Sequence, residues 1–281
     1  VFSSGVAWRV ARRSPAGYLA VILLAPRPVR RHMLAASWFG CATDDIVDRG
    51  ARPDRARRYA EWETRVRAAL ATGTCAYQPL AAFLRTVDQC QVPAQWVAQC
   101  LDGWREDLHF RGLESEADFQ SYVDRVVVPP MRLVLGIHGG TRNEPFTVAL
   151  RRYTESYHRV DTLADMAEDL RDGRVHLPAQ DLRRVGVSTE ELLAGRRPPR
   201  LLELLREWTD LARTGLRRAR DLCDAAPDEL RPIIGASITV NELRLDSLEK
   251  AGLGILSRCV LPPVVPALRL VLAERRGSWH G

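Results

Sequence analysis

Asp44-Asp45-Ile46-Val47-Asp48 and Asp165-Met166-Ala167-Glu168-Asp169 are the two stretches on which the reading of this chain turns. Each holds a pair of aspartates four residues apart, Asp44/Asp48 and Asp165/Asp169. On a helix that spacing puts both carboxylates on one face, a single turn apart. Like charges so placed repel by about 0.2–0.5 kcal/mol per pair. A chain that does this twice is expected to hold a cation between them. Carboxylate oxygens are hard donors, and Mg2+ takes one or two of them and completes its shell with water and phosphate.

Outward from these clusters the chain reads as helix almost throughout, with no convincing period-two strand. Helices are expected over Arg27–Val47, Arg55–Ala71, Tyr77–Gln89 and Pro93–Phe110. A further one over Ala117–Leu135 is broken or kinked at Pro129-Pro130. Pro145–Arg171 reads as one long helix closed by Asp172-Gly173, which would align Asp161, Asp165 and Asp169 along one stripe. His158 and Asp161 fall on that same face. Short helices follow at Pro178–Val185 and after the Ser188-Thr-Glu-Glu capping pattern. Leu201–Ala225, Asp228–Gly252 and Pro263–Arg276 complete the set. No repeat or linker divides the chain, so residues 1–281 are expected to form a single all-α bundle whose ligand groups face an interior cavity.

Hydrophobic residues make up 46% of the 281, enough for a large core. Net charge is +6 and the pI is near 9.3, but the arginines are scattered and no zinc-finger or RNA-binding motif is present. Nucleic acid is therefore not the expected partner. Lys250 is the only lysine; an arginine-rich pocket suits a phosphorylated small molecule. Six cysteines lie far apart without a CxxC pair, as expected for reduced thiols in the cytoplasm. The longest apolar run, Leu19–Pro26, is too short to insert stably in a membrane.

With these residues in view the chain resembles the squalene/phytoene synthase family. The resemblance rests on Asp44–Asp48, on Asp165–Asp169 with its trailer Leu-Arg-Asp-Gly-Arg-Val-His-Leu-Pro178, on Asp107-Leu-His-Phe110 and on Glu249–Arg258. It implies an isoprenoid synthase helical bundle with a central cavity. It also implies Mg2+ ions bridging Asp44, Asp48, Asp165 and Asp169 to the diphosphate of an allylic prenyl substrate. Tyr122 and Arg258 fall where the family has a tyrosine and an arginine near the diphosphate. Arg171 and Arg174 follow the second cluster and either reach the diphosphate or face solvent.

The departures from the family shape the expected reaction. Members that join two prenyl diphosphates head-to-head hold the second one with a Ser-rich segment before the first helix, here Ser14-Pro-Ala-Gly-Tyr18. They also use an arginine where Cys41 stands and a Gln-x-x-Asn-x-x-Arg run, here His158, Asp161 and Ala164. A family tyrosine is Asn241, placed with the substrate-binding set. Each charge-assisted contact to phosphate contributes about 1.5–3 kcal/mol, so two lost cations and a new anion at Asp161 make a second diphosphate a poor guest. The expectation is a Mg2+-dependent prenyltransferase that moves one group, such as dimethylallyl, to a small aromatic acceptor. Carbazole prenyltransferases of bacterial natural-product pathways are the resembling case. His158, Asp161 and Tyr122 are its candidate catalytic groups. The alternative is head-to-head condensation to squalene, dehydrosqualene or phytoene. Either a monomer or a homodimer is compatible with the chain.

Overall fold

The computed structural model describes residues 6, 7, 10, 11 and 15–275, and Ser14 of the segment named above lies outside them. Among these residues every regular element is helical. Helix α1 spans Pro15–Leu24, and α2 spans Arg27–Asp48 with Pro28 in its first turn, where a missing N–H is harmless. Helix α3 (Arg52–Thr72) ends at Gly73 in the left-handed region, φ 70°, which a residue without Cβ adopts freely. Then come α4 (Gln78–Gln89) and α5 (Ala94–Leu108). Phe39 of α2 stacks on Phe83 of α4 at 4.1 Å and meets Trp104 of α5 edge-on at 5.7 Å, which fixes these three helices side by side.

The expected helix over Ala117–Leu135 is interrupted, though earlier than its prolines. Helix α6 (Glu116–Tyr122), capped by the Ser115/Asp118 box, gives way to a π-helical turn over Val123–Val127. Pro129 and Pro130 then sit at the start of α7 (Val128–Leu135), the position a helix tolerates best. Gly103 of α5 lies against that π turn. A Cβ there would stand 2.6 Å from the Arg125 carbonyl oxygen, so only glycine lets the two backbones approach.

The long helix expected over Pro145–Arg171 is instead two. Helix α8 (Glu144–Ala164) starts from an Asn143 cap and stops at Asp165; α9 (Met166–Arg171) follows. The Ala164 carbonyl accepts its hydrogen bond from Val260 N at 2.9 Å, while Glu168 N turns to Asp165 O at 2.8 Å. One rung of the helical ladder is thus taken over by a distant strand-like segment of chain, and the backbone bends at the aspartate. Helices α10 (Ala179–Arg184), α11 (Thr189–Leu193), α12 (Leu201–Arg218), α13 (Asp221–Ala225), α14 (Arg231–Ala251) and α15 (Val264–Arg275) complete the chain. The expected Leu201–Ala225 helix is split at Ala219-Arg220.

Helix α8 packs along α12 and also touches α14 and α7; α7 in turn touches α2. The two aspartate-bearing helices therefore face one another across α5, the π turn and α7. The buried apolar side chains form one continuous cluster. No helix among the described residues is long and apolar enough to cross a membrane, and Cys75, Cys90, Cys100 and Cys259 are free thiols.

Candidate active site

Asp44 and Asp48 project from the last turns of α2. Asp44 Oδ1 accepts a hydrogen bond from Trp104 Nε1 at 2.6 Å, which orients it toward α5. Asp48 lies 3.8 Å from Arg174 Nη1, and its side chain is 42% exposed. Arg174, from the segment after α9, also binds Asp107 of α5 and donates to His176 Nε2 at 3.2 Å. A guanidinium only donates, so His176 Nε2 accepts, and Nδ1–H is left to donate to Asp169 Oδ2 at 3.1 Å. A continuous path of polar contacts thus runs Asp48–Arg174–His176–Asp169. It brings the first aspartate cluster to the second. Nearby, Arg55 of α3 forms a two-pronged bond with Asp172 at 2.8 Å for each prong, and this holds the Asp carboxyl below its usual range.

Arg174 is almost buried. Burial works against its charge, yet Asp107 and its other anionic neighbours outweigh that and raise its pKa. The Tyr122 hydroxyl donates to Asp107 Oδ1 at 2.5 Å, and burial first, then the Asp107 charge, lifts the phenol well above its ordinary value. Tyr122 is therefore a neutral donor whose proton is already engaged. Phe110 stacks on His176 at 4.3 Å and meets Tyr122 edge-on at 5.5 Å, closing an aromatic wall beside the acidic centre.

Asp165 and Asp169 have different partners: Arg244 Nη2 of α14 donates to Asp165 Oδ1 at 3.0 Å, and Asp169 pairs with His176. Arg244 Nη1 donates to Asp161 Oδ1 at 2.9 Å and its Nε to the Val260 carbonyl at 2.9 Å. The Asp165 carboxyl is pushed up to about 7, first by burial and then by the Asp161 charge, with Arg244 opposing.

His158 and Asp161 do not meet. Three residues apart on α8, they point to different neighbours. His158 stacks between Phe119 and Tyr122, 5.5 Å from each, with Nε2 buried and without a hydrogen-bond partner. Burial, and secondarily the charge of His176, lowers its pKa to about 3, so it is neutral and a weak base. Asp161 faces Arg244. Asn241, buried one turn before Arg244, donates to the Ser237 carbonyl at 2.8 Å and lies 3.5 Å from the Tyr153 hydroxyl, so it serves the α8–α14 seam. Arg258 is exposed and makes no ion pair among the described residues, but it stands at the second cluster: next to it, the Cys259 thiol approaches Glu168 at 3.7 Å. Arg171 is exposed at the end of α9.

Arg244, Asp107, Trp104 and His176 were not singled out as site residues from the sequence. For Arg244 a signal existed: it lies three residues after Asn241, on the same helical face. For Asp107 and Trp104 the signal was weaker, because a polar residue at a helix end has many ordinary uses. A cleft of about 310 Å³ opens beside Tyr122 and is lined by Phe110, Leu113 and Arg125 among others.

Residues 11–265 match the sequence profile of squalene/phytoene synthase. The chain belongs to the squalene/phytoene synthase family. Members of that family transfer prenyl groups from prenyl diphosphates. Phytoene synthase 1 of Arabidopsis thaliana is 28% identical over 233 residues, covering 78% of this chain and 51% of the relative. The phytoene synthase of Mycobacterium tuberculosis is 26% identical over 183 residues, covering 63% and 58%. The chain thus spans little more than half the length of these relatives. Among solved structures, squalene synthase HpnC from Alicyclobacillus acidocaldarius superposes with a TM-score of 0.77 at 22% identity, over 88% of this chain and 93% of that one. A dehydrosqualene synthase in complex with ligand gives 0.81 at 17%, over 98% and 95%. These likenesses establish the all-α isoprenoid synthase fold.

Proposed function

We propose that this protein is a prenyltransferase that ionises an allylic prenyl diphosphate and joins it head-to-head to a second prenyl chain. The observation that carries this reading is the contact path from Asp48 through Arg174 and His176 to Asp169, in a chain of this family. The names of several relatives, the phytoene synthases of Arabidopsis thaliana, Mycobacterium tuberculosis and Synechocystis among them, support condensation over transfer to an aromatic ring.

The donor set fits Mg2+. Asp44, Asp48, Asp165 and Asp169 offer hard oxygens, and the Asp165 carboxyl, crowded by burial and by Asp161, is one that a bound cation would help to ionise. Among the described residues no group of three His, Cys, Asp or Glu is already gathered around a metal position. When bound, Mg2+ neutralises charge on the departing diphosphate.

The chain's own residues do the rest. In this reading the exposed Arg258 binds a diphosphate oxygen. Arg174 ties the two aspartate clusters at a set spacing. Phe110, Phe119, Tyr122 and neutral His158 form a wall that keeps water from a carbocation. In the reaction the allylic C–O bond of one prenyl diphosphate breaks with its electron pair leaving on diphosphate, a double bond of the second supplies the pair for the new C–C bond, and a proton is lost. The C–O bond of the second then breaks, its diphosphate also leaves, and loss of a second proton from the rearranged cation gives the hydrocarbon.

A second reading retains a single prenyl donor and an aromatic acceptor. It rests on Cys41 and the fully buried Ala164, which leave two phosphate-binding cations missing. The negative charge at Asp161 does not add to this, since Arg244 pairs with it at 2.9 Å. Incubation with Mg2+ and farnesyl or geranylgeranyl diphosphate alone, set beside dimethylallyl diphosphate with a carbazole, tests the two. A hydrocarbon from the prenyl diphosphate alone is expected. An alkylated carbazole with no hydrocarbon would overturn the condensation reading in favour of the second.

A further inference from the structure

Arg244 sits where the acidic centre most needs positive charge. It leaves α14 with its side chain only 12% exposed and places one guanidinium nitrogen on Asp161, at 2.9 Å, and the other on Asp165, at 3.0 Å. Its Nε is anchored on the Val260 carbonyl at 2.9 Å, the residue whose own N–H bends the chain at Ala164. Burial alone would lower its pKa; the two aspartates more than offset this and raise it, so the group is a permanent cation. Asp165 is one of the residues assigned to the metal, and Arg244 occupies one of its oxygens. Asp161 is not in that set, and its carboxylate serves Arg244.

The two contacts therefore differ in kind. Asp161 and Val260 can hold Arg244 throughout, because neither is among the residues assigned to the metal. The contact with Asp165 competes with a metal ion for Oδ1 and leaves Oδ2 open. Displaced from Asp165, the freed Nη2 stays tethered within a side-chain rotation of the same place, and there the newly arrived anion is the diphosphate.

We propose that Arg244 is a built-in counter-ion that holds Asp165 in the empty site and turns to the diphosphate when metal and substrate enter, with Asp161 as its tether. This rests on the reading of the site as a diphosphate site, and it adds a residue, a partner exchange and a role for Asp161. It also replaces, from another helix, part of the positive charge missing at Ala164.

The test needs no prenyl turnover, so its failure is distinguishable from failure of the condensation reading. Titration calorimetry of the full chain follows Mg2+ alone, and then pyrophosphate in saturating Mg2+, for the unaltered protein and Arg244→Met. Removing the competitor from Asp165 is expected to tighten Mg2+ binding, by roughly three- to tenfold. Removing one charge-assisted contact is expected to weaken pyrophosphate binding by roughly ten- to a hundredfold. The two changes run in opposite directions, which general damage to the fold does not produce. Absence of either change in a folded variant overturns the proposal. Should the variant fail to fold, a crystal structure of the unaltered chain with Mg2+ and pyrophosphate decides. Arg244 is expected on Asp161 and on a diphosphate oxygen, and an Arg244–Asp165 pair left intact overturns it.

Discussion

Arg174 and Asp48, 126 positions apart in sequence numbering, approach to 3.8 Å and tie the trailer of one aspartate cluster to the other. Arg174 also binds Asp107, and both of those side chains are nearly buried. Removing one partner of such a pair leaves the other charge without compensation in a poorly hydrated place. Breaking a buried pair in this way costs about 3–5 kcal/mol. Arg174→Met is expected to lose stability near the lower end of that range, measured by urea unfolding, and to lose most activity. Asp107→Asn in the same background is expected to recover part of the stability, because the uncompensated anion is then gone. No recovery in the double variant would show that Asp107 is not the partner that matters.

The histidine between Phe119 and Tyr122 sets an acid limit on the fold. The folded pKa of His158, lowered to about 3, lies below its unfolded value of 6.5, so the unfolded chain takes up the proton first. Its contribution is present above pH 6.5 and is lost as pH falls from there toward 3. The slope is at most ~1.4 kcal/mol per pH unit. His158→Phe, which keeps a ring in the stack, is expected to flatten the fall in stability between about pH 6 and about pH 4. Denaturation series at those two values check it, and identical slopes in both proteins would count against a neutral buried His158.

Asp165 acts with the opposite sign. Its folded pKa of about 7 lies above its unfolded value of 3.8, so protonation favours the folded chain. That contribution is complete below the unfolded value and disappears as pH rises through the folded one. Asp165→Asn imitates the protonated carboxyl. Without metal it is expected to match the unaltered protein in thermal stability near about pH 4 and to exceed it near about pH 8. The same variant is expected to lose Mg2+-dependent pyrophosphate binding. A variant no more stable at the higher pH would show that Arg244 already compensates the charge in full.

Gly103 offers a test of the fold independent of the chemistry. A Cβ would meet the Arg125 carbonyl oxygen at 2.6 Å and the Val126 Cα at 3.1 Å, both backbone atoms of the π turn. Overpacking of this kind typically costs about 1–3 kcal/mol. Gly103→Ala is expected to fall in that range by urea unfolding even though alanine is the better helix former. A gain in stability would mean that the π turn relaxes freely.

Much was legible in the residues alone. The helical class followed from apolar periodicity, and the starts of α2, α6, α8 and α11 followed from their prolines and capping side chains, because these signals act within one turn. The paired aspartates marked the site for the same reason: repulsion at a spacing of four is a local fact that needs a local explanation. Where long-range contacts compete with local ones, sequence reading went astray. Asp161, Asp165 and Asp169 read as one stripe; Asp161 and Asp165 do share a partner in Arg244, but the Val260 N–H takes the Ala164 carbonyl and Asp169 pairs with His176 instead. His158 and Asp161 read as neighbours, but Phe119 and Tyr122 draw one aside and Arg244 the other.

By itself, then, the sequence determined that this is a helical bundle carrying two acidic clusters of the squalene/phytoene synthase kind, since period and pairing are properties of short stretches. Only the tertiary structure decided which charge answers which. Arg244 lies 79 positions from Asp165 and Arg174 lies 67 from Asp107. No local rule joins residues so far apart; they meet because α14 packs on α8 and the segment after α9 returns to α5.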